Sequence, residues 1–325
     1  MKAFALIREP GNAILCLPLS SEAIGPFVFS PFFGVPERFS VGAEVEGQEA
    51  LTLAREALKG LERPILSVQS SHDAFSYQAL VEKAVKACDE GALEKVVLSR
   101  CKAYPDPGID PVSTYERLCV HYPQATVYMV HRAGQSLWMG ATPECLVEMQ
   151  ENSVKTMSLA GTRVAGIQGP WGTKEREEQH VVTRDITHML HVLGCKNLTI
   201  EGPNVLNAGP VEHLCSIIHG ERNGSSANEV AQALHPTPAV GGLPRAQAAT
   251  FIRQREGYDR KFYAGYFGWD SGQRAVYYVN LRCLEWGQDG LLCYAGGGIT
   301  AKSKPQEEWE ETEQKLKTLE RVIFG

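Results

Sequence analysis

The 325-residue sequence lacks the features that would direct it to a membrane or an oxidising compartment. No stretch approaches the roughly 20 consecutive apolar residues that a membrane helix needs. Arg8 and Glu9 end the short apolar segment at the N-terminus before it resembles a signal peptide. The nine cysteines are scattered singly, without a C-x-x-C pair, and are expected to be free thiols. These absences predict a cytoplasmic protein.

The sequence also has no excess of basic residues, since it contains 32 Lys and Arg residues and 38 Asp and Glu residues and has a net charge of −6. This balance argues against a general nucleic-acid surface, but it allows an anionic small molecule where positive charge is gathered locally. No run of Pro, Ser, Gly or like charge is long enough to be a linker. We therefore expect one large domain.

Helices and strands alternate along the chain in a way that favours an α+β protein. An apolar face at helical spacing covers 76–88 and stops at Gly91, and a β-branched run follows at 95–100. Strands are predicted at 126–131, 136–140 and 145–149, and the short connections between them are typical of antiparallel hairpins. Further helices are predicted at about 113–121, 174–193, 226–234, 244–256 and 306–322, and further strands at about 263–269, 275–284 and 291–296.

Two predicted helices begin with clusters of carboxylates. Five glutamates lie within 307–313, shortly after the glycine run 296–298, and a second acidic cluster opens the helix at 174–178. Solvated helix N-termini explain such clusters without any function. One carboxylate from each of two helices, completed by water and an anionic ligand, is also a common way to hold Mg²⁺. Spacing alone leaves both interpretations open.

Lys95 and Glu144 are candidates for proton transfer. Lys95 starts a predicted strand, and Glu144 lies in a tight connection between two others. A lysine acts as a base, and a carboxyl group as an acid, when the surroundings shift their pKa values. Polar residues at the surface ends of strands are the alternative. His235, in a rigid HPTP turn, is by itself more often structural than catalytic.

Neither glycine-rich stretch, at 241–244 or at 296–299, has the pattern of a dinucleotide-binding or P-loop motif. Close approach of the backbone to a small anionic ligand fits these stretches better.

Taken in order, these segments resemble the chorismate-binding enzyme family of menaquinone, siderophore and tryptophan biosynthesis. The resemblance covers about two-thirds of the chain and is carried by KVVLSR at 95–100, GATPE at 140–144, LAGTR at 159–163, KEREE at 174–178, VEHL at 211–214, LHPTPAVGG at 234–242, FYAG at 262–265, LR at 281–282, AGGGI at 295–299 and WEETEQK at 309–315. It implies large antiparallel β-sheets packed as a sandwich with outer helices, as in anthranilate synthase component I.

The resemblance also implies roles for individual residues. Glu178 and Glu311 would hold Mg²⁺, which would bind a carboxylate of chorismate. Lys95 would be the general base that activates water for attack at C2, and Glu144 would protonate the departing C4 hydroxyl. The substrate-binding positions implied by the resemblance are Ala160, Thr162, His235, Arg282, Gly296 and Lys315.

Isochorismate synthase is the activity that the resemblance favours. Aminodeoxychorismate synthases carry a nucleophilic lysine where this chain has Ala160, and anthranilate synthases lack a lysine at the position of Lys95. Salicylate synthases share the base and the acid, so a further elimination of pyruvate remains an alternative. A chorismate sensor without catalysis is the second alternative, although such a protein would be expected to lose one of the catalytic residues.

The sequence departs from the family pattern in four places. Gln179 stands where a histidine usually follows the first metal glutamate, the loop after the LAGTR motif is short, Lys261 replaces an acidic residue, and the region before Lys95 is short. We expect a single chorismate-binding domain over 1–325, with a reduced N-terminal part at 1–70 and a catalytic core at 71–325. We also expect a monomer without an obligatory protein partner, acting in menaquinone or siderophore biosynthesis.

Overall fold

Two antiparallel β-sheets dominate the structure, a computed structural model that describes residues 3–22 and 24–325. Along the chain the strands are β1 (Phe4–Arg8), β2 (Leu15–Ser21), β3 (Phe27–Ser30), β4 (Glu37–Val41), β5 (Val45–Glu46), β6 (Lys95–Pro105), β7 (Thr126–His131), β8 (Leu137–Thr142), β9 (Cys145–Gln150), β10 (Ser153–Val164), β11 (Lys196–Ala208), β12 (Val211–Glu221), β13 (Gly242–Leu243), β14 (Tyr266–Asp270), β15 (Arg274–Val279), β16 (Cys283–Trp286) and β17 (Gly290–Ile299).

The first sheet has the neighbour order β5-β2-β1-β7-β8-β16-β17-β6-β13. The second has the order β2-β4-β3-β14-β15-β9-β10-β12-β11. Strand β2 belongs to both, because its first half pairs with β1 and β5 and its second half pairs with β4. The N-terminal strands therefore extend both sheets.

Seven helices of the described chain pack around these sheets. They are α1 (Gly47–Leu58), α2 (Ala74–Asp89), α3 (Pro111–His121), α4 (Thr173–Val192), α5 (Ala227–Leu234), α6 (Arg245–Arg255) and α7 (Pro305–Ile323). Helix α2 begins two residues before the predicted Ser76, because the Asp73 carboxylate accepts the Ser76 N–H at 2.8 Å and caps the helix. In residues 3–22 and 24–325, no helix is long and apolar enough to cross a membrane.

The period-two alternation of strand side chains divides the core into two clusters. On β7, Val127 and Met129 pack in a cluster that includes side chains of α1, α3 and α7. Tyr128 and Val130 point the other way, into a cluster that combines both sheets with α2, α4, α5 and α6. This arrangement confirms the predicted antiparallel sandwich with outer helices.

Two of the predicted strand arrangements are wrong, one around residues 140–149 and one around residues 275–284. β7 and β8 form the expected hairpin, but β8 pairs onward with β16 in the first sheet while β9 pairs with β10 and β15 in the second. The predicted strand 275–284 is divided into β15 and β16, because Arg282 adopts a φ of 48° that a continuous strand cannot hold. Both breaks place polar side chains between the sheets.

A buried ion pair ties the end of α6 to β6. Arg260 and Glu256 are each about 1% exposed, and Arg260 Nε donates to Glu256 Oε2 at 2.6 Å. Glu256 Oε1 also accepts the Ser99 N–H at 2.6 Å, and Arg260 Nη2 donates to the Val97 carbonyl at 2.7 Å. The contacts with Ser99 and Val97 both reach the strand that begins with Lys95, so the pair holds that strand in place.

Replacing Arg260 with methionine is expected to destabilise the protein by about 3–5 kcal/mol, because it leaves the Glu256 carboxylate buried without its counter-ion. Urea unfolding would measure the loss. Arg184→Met is the control, since Arg184 pairs with Glu94 at the surface and should cost under about 1 kcal/mol. Equal losses in the two variants would contradict the argument.

Candidate active site

The glycine run at the end of β17 makes room for charged side chains. Gly298 pairs with Val97 in the neighbouring strand β6. A Cβ atom at Gly298 would overlap Oε1 of Glu178 and would lie 2.7 Å from Cε of Lys95. The absence of a side chain at this position therefore allows the lysine and the glutamate to meet across the strand.

The adjacent Gly297 likewise leaves room for side chains, in this case those of helix α7. A Cβ atom at Gly297 would lie 3.3 Å from Glu308 Oε2 and 3.4 Å from Glu311 Oε1. Glu308 and Glu311 are three residues apart, which places them on the same face of the helix. The two acidic helices predicted from the sequence, α4 and α7, therefore do meet, at the glycine run.

Three lysines compensate the three carboxylates at this place. The pairs and their N–O distances are Lys95–Glu178 at 2.8 Å, Lys174–Glu308 at 2.5 Å and Lys315–Glu311 at 2.7 Å. Lys315 Nζ also donates to the Gly296 carbonyl at 2.7 Å. Alternating positive and negative groups thus line one end of the site, although the net charge of the protein is −6.

These residues surround a cavity between the sheets, and most of the predicted site residues line it. The cavity-lining residues that the sequence predicted are Glu144, Ala160, Thr162, Glu178, Arg282, Gly296, Glu311 and Lys315. Lys95 is only 1% exposed and does not itself line the cavity, but it forms an ion pair with Glu178, which does. The structure therefore brings nine of the ten predicted residues together.

His235 is the exception. Its Nε2 lies 3.1 Å from the Phe32 carbonyl, and its ring packs against Tyr266 with centroids 5.2 Å apart. Burial lowers the pKa of His235 to about 4, so the ring is neutral. His235 does not line the cavity, so its predicted role as a substrate-binding residue has no support in this position. The aromatic packing fits the structural interpretation.

Glu144 lies where the chain crosses from the first sheet to the second, and it is 2% exposed. Its backbone is held on both sides, because its N–H donates to Thr142 Oγ1 at 3.3 Å and its carbonyl accepts the Val279 N–H at 3.0 Å. Burial raises the pKa of Glu144 to about 8, and the nearby charge of Lys95 opposes the rise only in part. The carboxyl group is therefore protonated at neutral pH and can donate a proton.

Arg282 and His213 form a second polar cluster on the cavity wall. Arg282 Nη2 lies 2.9 Å from His213 Nε2, and because arginine only donates, Nε2 must be the acceptor. The His213 proton is then on Nδ1, 3.3 Å from the Gly161 carbonyl and 3.2 Å from Thr162 Oγ1. Burial, Arg282 and Lys315 lower the pKa of His213 well below its usual value, so the ring stays neutral beside the arginine.

The sequence reasoning assigned no role to two residues that the structure places at the site, His213 and Glu308. Both had a signal: His213 lies in the VEHL segment, and Glu308 is three residues before Glu311 on the same helix. Burial and the neighbouring charge of Glu311 raise the pKa of Glu308 to about 7, against the opposing effect of Lys174. In the described part of the chain, Glu308 Oε2 has no hydrogen-bond partner.

The carboxylates fit a hard cation such as Mg²⁺. They offer oxygen ligands from two helices, and the free Oε2 of Glu308 is a buried acceptor without a donor. No group of three His, Cys, Asp or Glu side chains forms a closed metal cage within residues 3–22 and 24–325. An open set of one or two carboxylates, completed by water and ligand oxygens, is the usual way in which proteins hold Mg²⁺.

Comparison with known proteins identifies the class. Residues 41–324 match the family described as chorismate binding enzyme. The chain is 31% identical over 266 residues to the salicylate biosynthesis isochorismate synthase of Pseudomonas aeruginosa, covering 78% of this chain and 56% of that protein. It is also 31% identical over 283 residues to isochorismate synthase MenF of Escherichia coli K12, covering 82% of this chain and 64% of that protein.

The fold agrees with the same class. The solved structure of MenF, the menaquinone-specific isochorismate synthase from Escherichia coli, superposes with a TM-score of 0.80 at 22% identity, covering 99% of this chain and 89% of that one. The protein belongs to the chorismate-binding enzymes. It spans just over half to about two-thirds of the length of the two relatives aligned by sequence.

Proposed function

We propose that this protein is an isochorismate synthase, which moves the ring hydroxyl of chorismate from C4 to C2 with the help of Mg²⁺. The observation that carries the proposal is the buried pair of Lys95 and Glu144 beside one cavity. A base and an acid are what the exchange of a ring hydroxyl for water requires. The names of the two aligned relatives support the same activity.

Lys95 is the candidate base for the attacking water. Its Nζ lies 2.8 Å from Glu178, and an ammonium held by a carboxylate cannot accept a proton until it has lost one. A cation bound by Glu178 would compete with Lys95 for the same carboxylate. The base and the cation site are therefore coupled through one glutamate.

Glu144 is the candidate acid for the departing C4 hydroxyl. A hydroxide ion is a poor leaving group, so the C4 oxygen needs a proton as its bond to carbon breaks. The pKa of about 8 means that Glu144 still holds this proton at neutral pH. The proton that Lys95 removes from water at C2 and the proton that Glu144 gives at C4 balance over one turnover.

The positive groups of the cavity would bind the two carboxylates of the substrate. Arg282 is 6% exposed and carries a pKa lowered by burial to about 10, so it remains charged at neutral pH. Lys315 Nζ donates to Glu311 Oε1 and to the Gly296 carbonyl, both at 2.7 Å, so its charge lies beside the glycine run. Mg²⁺ held by Glu178 and Glu311 would supply further positive charge for a substrate carboxylate.

Product analysis tests the proposal directly. Purified protein incubated with chorismate and Mg²⁺ is expected to give a mixture of chorismate and isochorismate without pyruvate, and removing Mg²⁺ with a chelator should stop the conversion. Chromatography separates these compounds. Salicylate together with pyruvate would indicate a salicylate synthase instead. Tight binding of chorismate without conversion would indicate a sensor.

We also propose that the isochorismate serves menaquinone synthesis. The support is the similarity to MenF, while the relative from Pseudomonas is named for salicylate biosynthesis. Deleting the gene in its own organism should remove menaquinone and leave the production of siderophores unchanged. The reverse result would assign the protein to a siderophore pathway.

A further inference from the structure

The side-chain amide of Gln179 is buried between α4 and the two strands beneath it. It is 2% exposed. Its Oε1 accepts the N–H of Ala160 at 3.0 Å, and its Nε2 donates to the Ser158 carbonyl at 3.1 Å. Nε2 also lies 2.9 Å from Ser158 Oγ and 3.1 Å from Ser216 Oγ. A single amide thus connects the helix to β10 and to β12.

The contacts fall at an irregularity of the sheet. The pairing of β10 with β12 shifts register between Ala160 and Thr162, and Gly161 between them has a φ of 62°. A bulge of this kind disturbs the ladder of backbone hydrogen bonds. Gln179 supplies the acceptor for the buried N–H of Ala160, a residue that also lines the cavity.

We propose that Gln179 is a positioning residue that fixes the metal-binding orientation of Glu178. The inference rests on the proposed function, in which Glu178 holds Mg²⁺. Successive side chains on a helix point about 100° apart, so the orientation of Gln179 sets that of Glu178. The other buried residues on this face of α4 are the apolar Val182, Ile186 and Leu190, whose contacts are not directional. The neighbouring Thr183 adds one hydrogen bond, 2.7 Å between its Oγ1 and Ser158 Oγ, which also contacts the Gln179 amide. The hydrogen bonds of Gln179 are directional and fix the rotation of the helix.

Gln179→Met tests this inference, because methionine has a similar length but no hydrogen-bonding amide. The expected result is a rise of about 10–100-fold in the Kd for Mg²⁺, measured by calorimetry on protein without substrate, or with Mn²⁺ by electron paramagnetic resonance. In turnover assays, high Mg²⁺ should restore most of kcat. A role limited to overall stability would lower the Tm without this recovery.

Leu190→Ala is the matched control, because Leu190 is buried on the same helix face about three turns away. It should lower the Tm and leave the Kd for Mg²⁺ unchanged. Ser216→Ala removes one contact of the amide and should raise that Kd about threefold. If Gln179→Met does not fold, the Kd of Ser216→Ala for Mg²⁺ still tests the inference.

Two outcomes would overturn the inference. In the first, wild type binds Mg²⁺ and the Gln179→Met and Ser216→Ala proteins bind it equally well. In the second, Leu190→Ala weakens Mg²⁺ binding as much as Gln179→Met does. If the wild-type protein itself binds no divalent cation, the proposed metal site fails first and the inference fails with it. Calorimetry therefore separates the two failures.

Discussion

Lys95→Ala is expected to lower kcat by about 10²–10⁴-fold, the usual contribution of a general base. The binding of chorismate should change little, because the charges proposed to hold its carboxylates lie elsewhere, on Arg282 and Lys315. Steady-state kinetics and calorimetry with Mg²⁺ would measure the two effects separately. Lys95→Met, which keeps most of the apolar stem, should show the same loss with less disturbance of packing.

The control for this prediction is a lysine that pairs with the same helix, α4. Lys302 pairs with Glu177 at 2.8 Å, one residue before Glu178, but both partners are more than half exposed. Lys302→Ala should therefore leave kcat within about twofold of wild type, since exposed ion pairs contribute little. A Lys95→Ala protein that kept wild-type activity would rule out Lys95 as the base.

The helices of the site were predictable because their signals are local. The apolar spacing and first-turn carboxylates of 174–193 and 306–322 indicated helices, and α4 and α7 agree with these ranges to within a residue or so. By contrast, β11 has mostly exposed side chains and includes Pro203, so it shows no alternation. It exists because β12 offers it a pairing edge, and no local pattern reports such an edge.

The burial of the catalytic candidates could not be read from the residues themselves. Lys95 and Glu144 look like polar residues at the surface ends of strands, but they are 1% and 2% exposed. Glu144 is buried because β8 and β9 join different sheets, and Lys95 is buried because β17 and β13 flank β6. These pairings join segments far apart in the chain, so spacing arguments miss them. The family resemblance indicated the residues, and the structure explains why both are buried and why the pKa of Glu144 is raised.

The substitution Glu144→Gln should separate activity from stability. Glutamine has nearly the same shape but cannot donate a proton to a leaving hydroxyl, so kcat is expected to fall by about 10²–10⁴-fold. The same change should stabilise the fold at alkaline pH. Folded wild type holds the Glu144 proton up to a pH of about 8, whereas an unfolded chain releases it near 4.5. Wild-type stability therefore falls as pH rises between these values, and the variant escapes this loss.

The expected gain in the free energy of unfolding of Glu144→Gln over wild type is absent below pH 4 and grows through pH 5–8. It reaches on the order of 4 kcal/mol above pH 8. Urea unfolding at pH 4, 6 and 9 would measure it. Glu148→Gln is the control, for which the opposite change in stability is expected. Partial burial alone would raise the pKa of Glu148, but Arg274 outweighs it and lowers the pKa, so this variant should be destabilised at neutral pH. A Glu144→Gln protein whose stability followed wild type at every pH would show that Glu144 is ionised in the fold. Such a carboxylate could not be the acid that releases the C4 hydroxyl.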